Sequence, residues 1–253
     1  MAELRAATQP PSIFARNSGE HWGGRLYMRR VSPHLTRWLL RAGLSPNTVT
    51  ALMIVDGLAA AALLSVPGLL PAIGAVLLIQ LQLLLDCSDG EVARWRGVSS
   101  PKGIYLDRIA HYVTEAALPI ALGVRADGGW DSLGTYTALG LVIAVLVLLI
   151  KAETALVFVA RAESGRPPAA DTVEVAAPRG GALRGARRVA GRVPFFRAFV
   201  AIEATLLALA AAIVDALADG SPGTKGLVIA LIGVGVITAA GHLAAILSSD
   251  RLR

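Results

Sequence analysis

Residues 86–111 read DCSDGEVARWRGVSSPKGIYLDRIAH, and the fold and function of the chain turn on this stretch. It begins at the foot of one long apolar segment and ends just inside the next. Asp86 and Asp89 stand three apart, and Asp107 and His111 four apart. On helices, both spacings put the paired side chains on one face. Carboxylates gathered at the edge of hydrocarbon repel each other and lose hydration, a cost that a cation among them relieves. The pattern predicts a metal-assisted site at a membrane surface. Gln82, Asp86, Asp89 and Ala93 fall on one helical stripe, and Gly103, Asp107, His111 and Glu115 on another. Two such stripes facing each other would enclose a polar cavity.

The surrounding composition is that of a membrane protein. Of 253 residues, 55% are hydrophobic but only 5% aromatic, so Ala, Leu, Val and Ile carry the apolarity. The net charge of +6 comes from arginines lying between apolar segments. That placement fits topology and anionic lipid better than nucleic acid. Cys87 is the lone cysteine, which excludes an intramolecular disulfide. No cleavable leader is expected, since the first 45 residues are polar and basic.

In chain order, residues 1–18 read as a flexible tail and 19–44 as an amphipathic helix lying in the interface plane. Ser32-Pro33 reads as its N-cap and first turn, Leu35, Trp38 and Leu39 share a face, and Gly43 is the stop. Ser45-Pro46 then opens the first of six apolar spans, at about 47–65, 69–86, 103–124, 133–160, 196–217 and 227–248. The expected architecture is all-α and polytopic: six transmembrane helices within residues 45–253, interrupted by a basic loop at 161–195. Arginines crowd the amino-terminal region, the 86–103 link and the 161–197 link, whereas the opposite links hold only Arg125 and Lys225. Both termini and the 86–111 stretch therefore belong on the cytoplasmic side, as for an integral protein of a bacterial inner membrane. No internal repeat suggests a two-halved transporter. Asp56, Lys151 and Glu153 are intramembrane charges, and Lys151 is a candidate to face an acceptor pocket.

Written as spacing, the stretch is D-x2-D-G-x2-A-R-x8-G-x3-D-x3-H. It resembles the signature of the CDP-alcohol phosphotransferase (CDP-alcohol phosphatidyltransferase) family, in which the last position is Asp. Seven of the eight specified positions match: Asp86, Asp89, Gly90, Ala93, Arg94, Gly103 and Asp107. The eighth is His111. Upstream, Ser45-Pro46-Asn47-Thr48-Val49-Thr50 is similar to the P-N-x-x-T that opens the family's first membrane helix.

The resemblance implies a metal-dependent enzyme of phospholipid biosynthesis. It would move a substituted phosphate from a CDP-linked donor, CDP-diacylglycerol before others, to an acceptor hydroxyl with release of CMP. Asp86, Asp89, Asp107 and His111 would bind metal, Mg2+ or Mn2+ and commonly two ions. Asn47, Thr48, Val49, Thr50, Gly90, Arg94 and Ser100 would contact the donor. The final motif position would be the catalytic base, and a homodimer is implied. The chemistry suits these residue types. Breaking a CDP pyrophosphate needs charge neutralised on two phosphates and the departing CMP, which carboxylate-held divalent ions do. Glycines permit close approach, and Arg94 offers paired donors to phosphate. Histidine is a good base near neutral pH, with Glu115 one turn on to orient it, but it is a softer ligand than carboxylate for Mg2+. His111 thus leaves three readings: a working histidine base, an altered or single-metal site, or lost activity. The alternatives for the whole chain are a soluble CDP-alcohol donor with a lipid or polyprenyl acceptor, or an inactive membrane scaffold lacking the fourth Asp. No residue selects the acceptor.

Overall fold

The computed structural model describes residues 1–10, 22–167 and 195–252. The core of the basic loop, 168–194, and residues 11–21 of the amino-terminal region lie outside the described residues. The described residues are helical, with no strand among them. The principal helices are α1 (Ala2–Thr8), α2 (Arg29–Arg41), α3 (Pro46–Leu64), α4 (Leu69–Trp95), α5 (Pro101–Ala126), α6 (Thr135–Glu163), α7 (Ala201–Ala216) and α8 (Pro222–Leu247). Four of them, α3, α4, α6 and α8, are long and apolar enough to cross a membrane, with mean hydropathies of 1.7 to 2.5. The two other expected spans fall short of that measure for plain reasons. Helix α5 carries Lys102, Asp107, Arg108, Glu115 and Arg125, and α7 has only 16 residues, preceded by a short 3-10 helix at Phe195–Phe199.

The chain divides into two compact units, Met1–Leu63 with Ile73–Thr114, and Leu64–Ala72 with Glu115–Arg253. In the first unit, Leu39 of α2, Val49 and Met53 of α3, Leu85 and Val92 of α4 and Ala110 of α5 form the core. Serine–proline pairs set the helix starts. The Ser45 hydroxyl accepts from the Thr48 N–H at 3.1 Å, and the Ser100 hydroxyl accepts from the Gly103 N–H at 3.0 Å. Each caps a helix whose first residue is proline, where the missing N–H costs nothing. Helix α4 stops at Gly97, where φ is +62°. There Gly97 N–H bonds the Arg94 carbonyl and Val98 N–H the Ala93 carbonyl, a Schellman closure that needs a residue at ease in the left-handed region.

The amino-terminal region departs from the sequence reading. Ala2–Thr8, expected within a tail, is a helix with Leu4 and Thr8 buried. Ser32 and Pro33 are not the start of a helix: they lie inside α2, which follows a π-helical turn at Gly24–Met28. The face α2 buries is Ser32, Pro33, Thr36 and Leu39, whereas Trp38, expected beside Leu39, is exposed along with Val31. A serine–proline pair is an N-cap signal only when nothing else claims the serine; here a tertiary partner does.

In the second unit, α8 packs along α6 and against α7. Most of the buried positions are small or β-branched, among them Gly140, Ile143 and Ala144 on α6, Ala208 and Ala212 on α7, and Val228 and Gly235 on α8. Small residues let helix backbones approach where lipid supplies no hydrophobic drive between them. Two aspartates cap following helices. Asp127 accepts from the N–H groups of Gly134 and Thr137 at 2.8 and 2.7 Å, and Asp215 accepts from that of Gly223 at 2.7 Å. Partial burial pushes the Asp127 carboxyl up, but its hydrogen bonds from Thr137, Tyr136 and Gly134 outweigh this and hold it below the usual carboxylate range. Arg125 is buried and donates to the carbonyls of Val66 and Gly68, both at 2.8 Å, closing the turn after α3.

Helices α5 and α6 cross closely at Gly140. A Cβ there would stand 2.5 Å from the Pro119 carbonyl oxygen and 3.2 Å from the Gly123 Cα, whereas one at Gly233 would meet nothing within 4 Å. Gly140→Ala is therefore expected to destabilise by about 1–3 kcal/mol through overpacking. Gly233→Ala should be neutral, or stabilising by up to about 1 kcal/mol through helix propensity. Thermal unfolding in detergent should show Gly140→Ala melting several degrees lower and Gly233→Ala unchanged or higher.

Candidate metal and donor site

The site belongs to the first unit. Asp86 comes from α4, and Asp107 and His111 from α5. One ligand atom from each lies within 4.8 Å of the others, and all three side chains are partly exposed. His111 Nε2 is 3.2 Å from Asp86 Oδ1 and 3.7 Å from Asp107 Oδ1. The four-residue spacing of Asp107 and His111 does what helix geometry requires and stacks the pair on one face. The residues fit a divalent ion. Two carboxylates and an imidazole converge, partly open to an arriving ion, and the mixed oxygen and nitrogen donor set suits Mn2+ more readily than Mg2+.

Asp89 is placed differently. It is buried, and its Oδ2 accepts from the Thr50 hydroxyl of α3 at 2.7 Å. The expected metal set therefore divides: Asp86, Asp107 and His111 form the cluster, while Asp89 is tied to the PNTVT segment. The same hydroxyl lies 3.1 Å from the Pro46 carbonyl, so the two motifs meet at one threonine.

The motif glycines have clear steric reasons. A Cβ on Gly103 would lie 3.3 Å from both Asn47 Oδ1 and Ser100 Oγ, so Gly103 is where the start of α3 meets the start of α5. A Cβ on Gly90 would lie 3.0 and 3.3 Å from Arg94 Nη1 and Nη2, so the guanidinium folds back over Gly90. The expected donor contacts are thus gathered as Asn47, Gly103 and Ser100 together and Gly90 with Arg94. Val49 differs: its side chain is fully buried in the core of the unit. The Thr48 hydroxyl is 2.8 Å from that of Ser45, part of the cap of α3.

Three features escaped the sequence reading. Gln82 is buried and donates to the Thr114 hydroxyl at 2.6 Å, next to Gly57, whose missing side chain leaves room for both. The carboxylates beside the His111 ring are those of Asp86 and Asp107. Glu115, expected to orient that ring, holds Lys151 at 2.9 Å in the second unit. A lone lysine in an apolar helix is best explained by such a partner, and the glutamate one turn past His111 was the available signal. Glu91 is also fully buried, at an unspecified motif position, and it binds α2.

Mn2+ titration by calorimetry tests the cluster. Asp86→Asn, Asp107→Asn and His111→Ala should each weaken Mn2+ binding by at least about tenfold, given that even outer-shell losses cost metal sites that much. Asp219→Asn, on an exposed turn, should leave it unchanged.

Comparison with known proteins places the chain in a family. The family model for CDP-alcohol phosphatidyltransferase matches residues 44–218. The chain is 38% identical over 99 residues to the archaetidylinositol phosphate synthase of Aeropyrum pernix, covering 38% of this chain and 50% of that protein. It is 32% identical over 135 residues to the phosphatidylinositol phosphate synthase of Mycobacteroides abscessus, covering 53% of this chain and 58% of that protein. The matched region thus spans about half the length of these curated relatives. Among solved structures, the phosphatidylinositol phosphate synthase of Mycobacterium tuberculosis with CDP-DAG bound is similar at a TM-score of 0.54 and 20% identity, covering 87% of this chain and 95% of that one. The same enzyme in complex with manganese and citrate is similar at a TM-score of 0.53 and 20% identity, covering 86% and 90%. The likeness to these structures is one of fold; the matched family region holds both the PNTVT segment and the whole 86–111 stretch, and the chain belongs to the CDP-alcohol phosphatidyltransferase family.

Proposed function

We propose that the chain transfers a phosphatidyl-type group from a CDP-linked lipid, CDP-diacylglycerol before others, to a hydroxyl of an inositol phosphate, releasing CMP. The observation that carries this reading is the convergence of Asp86, Asp107 and His111 beside Asp89, Gly90 and Arg94 in the family's own spacing. The donor class is supported by the similarly folded enzyme with CDP-DAG bound, and the acceptor by the names of the two curated relatives.

Asp86 and Asp107, with Asp89 beside them and His111 as a further ligand at rest, would hold the divalent metal; the ring would leave the ion on taking a proton, since a ligating imidazole is unprotonated. When bound, the metal supplies neutralisation of the donor's pyrophosphate charge. Arg94 offers paired N–H donors to a phosphate, and Gly90 gives it room. The acceptor oxygen attacks the phosphorus that carries the lipid, the bond to CMP breaks, and the acceptor proton passes to His111. Asp86 beside Nε2 holds the ring and stabilises the imidazolium that forms. Asp86 lies at hydrogen-bonding distance from that nitrogen, which favours the working-base reading of His111 over loss of activity.

In the membrane, α5 and α7 would join the four long apolar helices to complete six spans. Helix α2 would lie along the interface, with its exposed Val31 and Trp38 toward lipid. The arginine distribution puts the site on the cytoplasmic side of a bacterial inner membrane.

The test is CMP release by the purified protein given CDP-diacylglycerol, an inositol phosphate and Mn2+ or Mg2+. Wild type should release CMP. His111→Ala should lose about 10²- to 10⁴-fold in kcat, the usual worth of a general base. His111→Asp should recover part of that loss. If wild type releases no CMP with this or any other acceptor, the transferase reading fails; undiminished turnover in His111→Ala would remove the histidine from the chemistry.

A further inference from the structure

Pro33 has no N–H, so the Arg29 carbonyl four residues back has no helical donor. That carbonyl accepts from Gln9 Nε2 at 2.8 Å, and the next one, of Arg30, accepts from Arg5 Nη2 at 3.1 Å. The segment Ala2–Gln9 is thereby seated on α2. The Gln9 amide also reaches Glu91 Oε1 at 2.8 Å. Glu91 is fully buried and accepts in addition from the hydroxyls of Ser32 at 2.5 Å and Thr36 at 2.7 Å, with Arg29 Nη1 at 3.5 Å. A buried carboxylate is tolerable only while its donors are in place. Those of Glu91 come from α2 and from the amino-terminal segment, so it fastens both to α4, one residue after Gly90.

The far end of α1 then meets the site. The Thr8 carbonyl, in the last turn of α1, has no donor within its own helix and accepts from Arg94 Nε at 2.6 Å. The other two guanidinium nitrogens lie over Gly90. With Nε on the Thr8 carbonyl, the edge of Arg94 that faces Gly90 is its Nη1–Nη2 edge, the one that matches two phosphate oxygens.

We propose that the segment Ala2–Gln9 is a working part of the donor site. Its Thr8 carbonyl sets the plane of the Arg94 guanidinium for a CDP-linked diphosphate, and Glu91 is the positioning residue that fastens the segment. This rests on the reading of Arg94 as a donor contact.

Calorimetric titration of CDP-diacylglycerol in detergent with Mn2+ tests it, with Mn2+ affinity and thermal unfolding measured alongside. Deleting residues 2–9, or Glu91→Gln, should weaken donor binding about tenfold, the worth of one charge-assisted hydrogen-bonding arrangement, with Mn2+ affinity unchanged. Gln9→Ala, a milder change that leaves Ser32 and Thr36 on Glu91, should weaken it about threefold by the same logic. In an Arg94→Ala background the deletion should cost nothing more. Unchanged donor affinity after the deletion would overturn the proposal, as would an equal loss with and without Arg94, which marks a purely structural role. If wild type itself bound no CDP-linked donor, the functional reading would fall, and this proposal with it.

Discussion

The constraint on which the rest depends is the mutual repulsion of carboxylates held at the ends of apolar helices. Asp86 and Asp107 come from different helices, yet their oxygens and the His111 ring converge within a few ångströms. Such an arrangement is unfavourable unless positive charge sits among its members. The fold therefore has to hold the groups in place mechanically. Helix α4 is closed at Gly97, α5 is opened at Ser100-Pro101, and the link between them is only a few residues long.

The same economy governs the surroundings. Gly103 removes a side chain where Asn47 and Ser100 crowd in, and Gly90 removes one where the Arg94 guanidinium folds over. Thr50 ties the start of α3 to Asp89. Two sequence motifs that lie 39 residues apart at this bond are thus one structural unit, and the spacing within each reflects a contact with the other.

Much of this was legible in the sequence because it is local. Three- and four-residue spacings, serine–proline caps and glycine stops are properties of single helices, and they suffice to put Asp107 and His111 on one face of α5, with Asp86 on the helix before it. What was not legible is tertiary. Ser32 reads as an N-cap until its hydroxyl is seen on Glu91, 59 residues away. Lys151 reads as a candidate acceptor contact, and its ion pair with Glu115 is a tertiary contact that no local spacing announces. Val49 sits in a binding motif, yet a helix must turn some of its motif positions inward, and Val49 faces the core. Nothing in the sequence singled out Glu91, although its partners Ser32 and Thr36 lie four apart on α2, one face toward one acceptor.

The central claim is that Asp86, Asp107 and His111 form one metal site. Crystals grown with Mn2+ and measured near the manganese absorption edge test it most directly. The account predicts an anomalous peak bounded by these three side chains. A fully loaded crystal with manganese elsewhere and none at this cluster would contradict it.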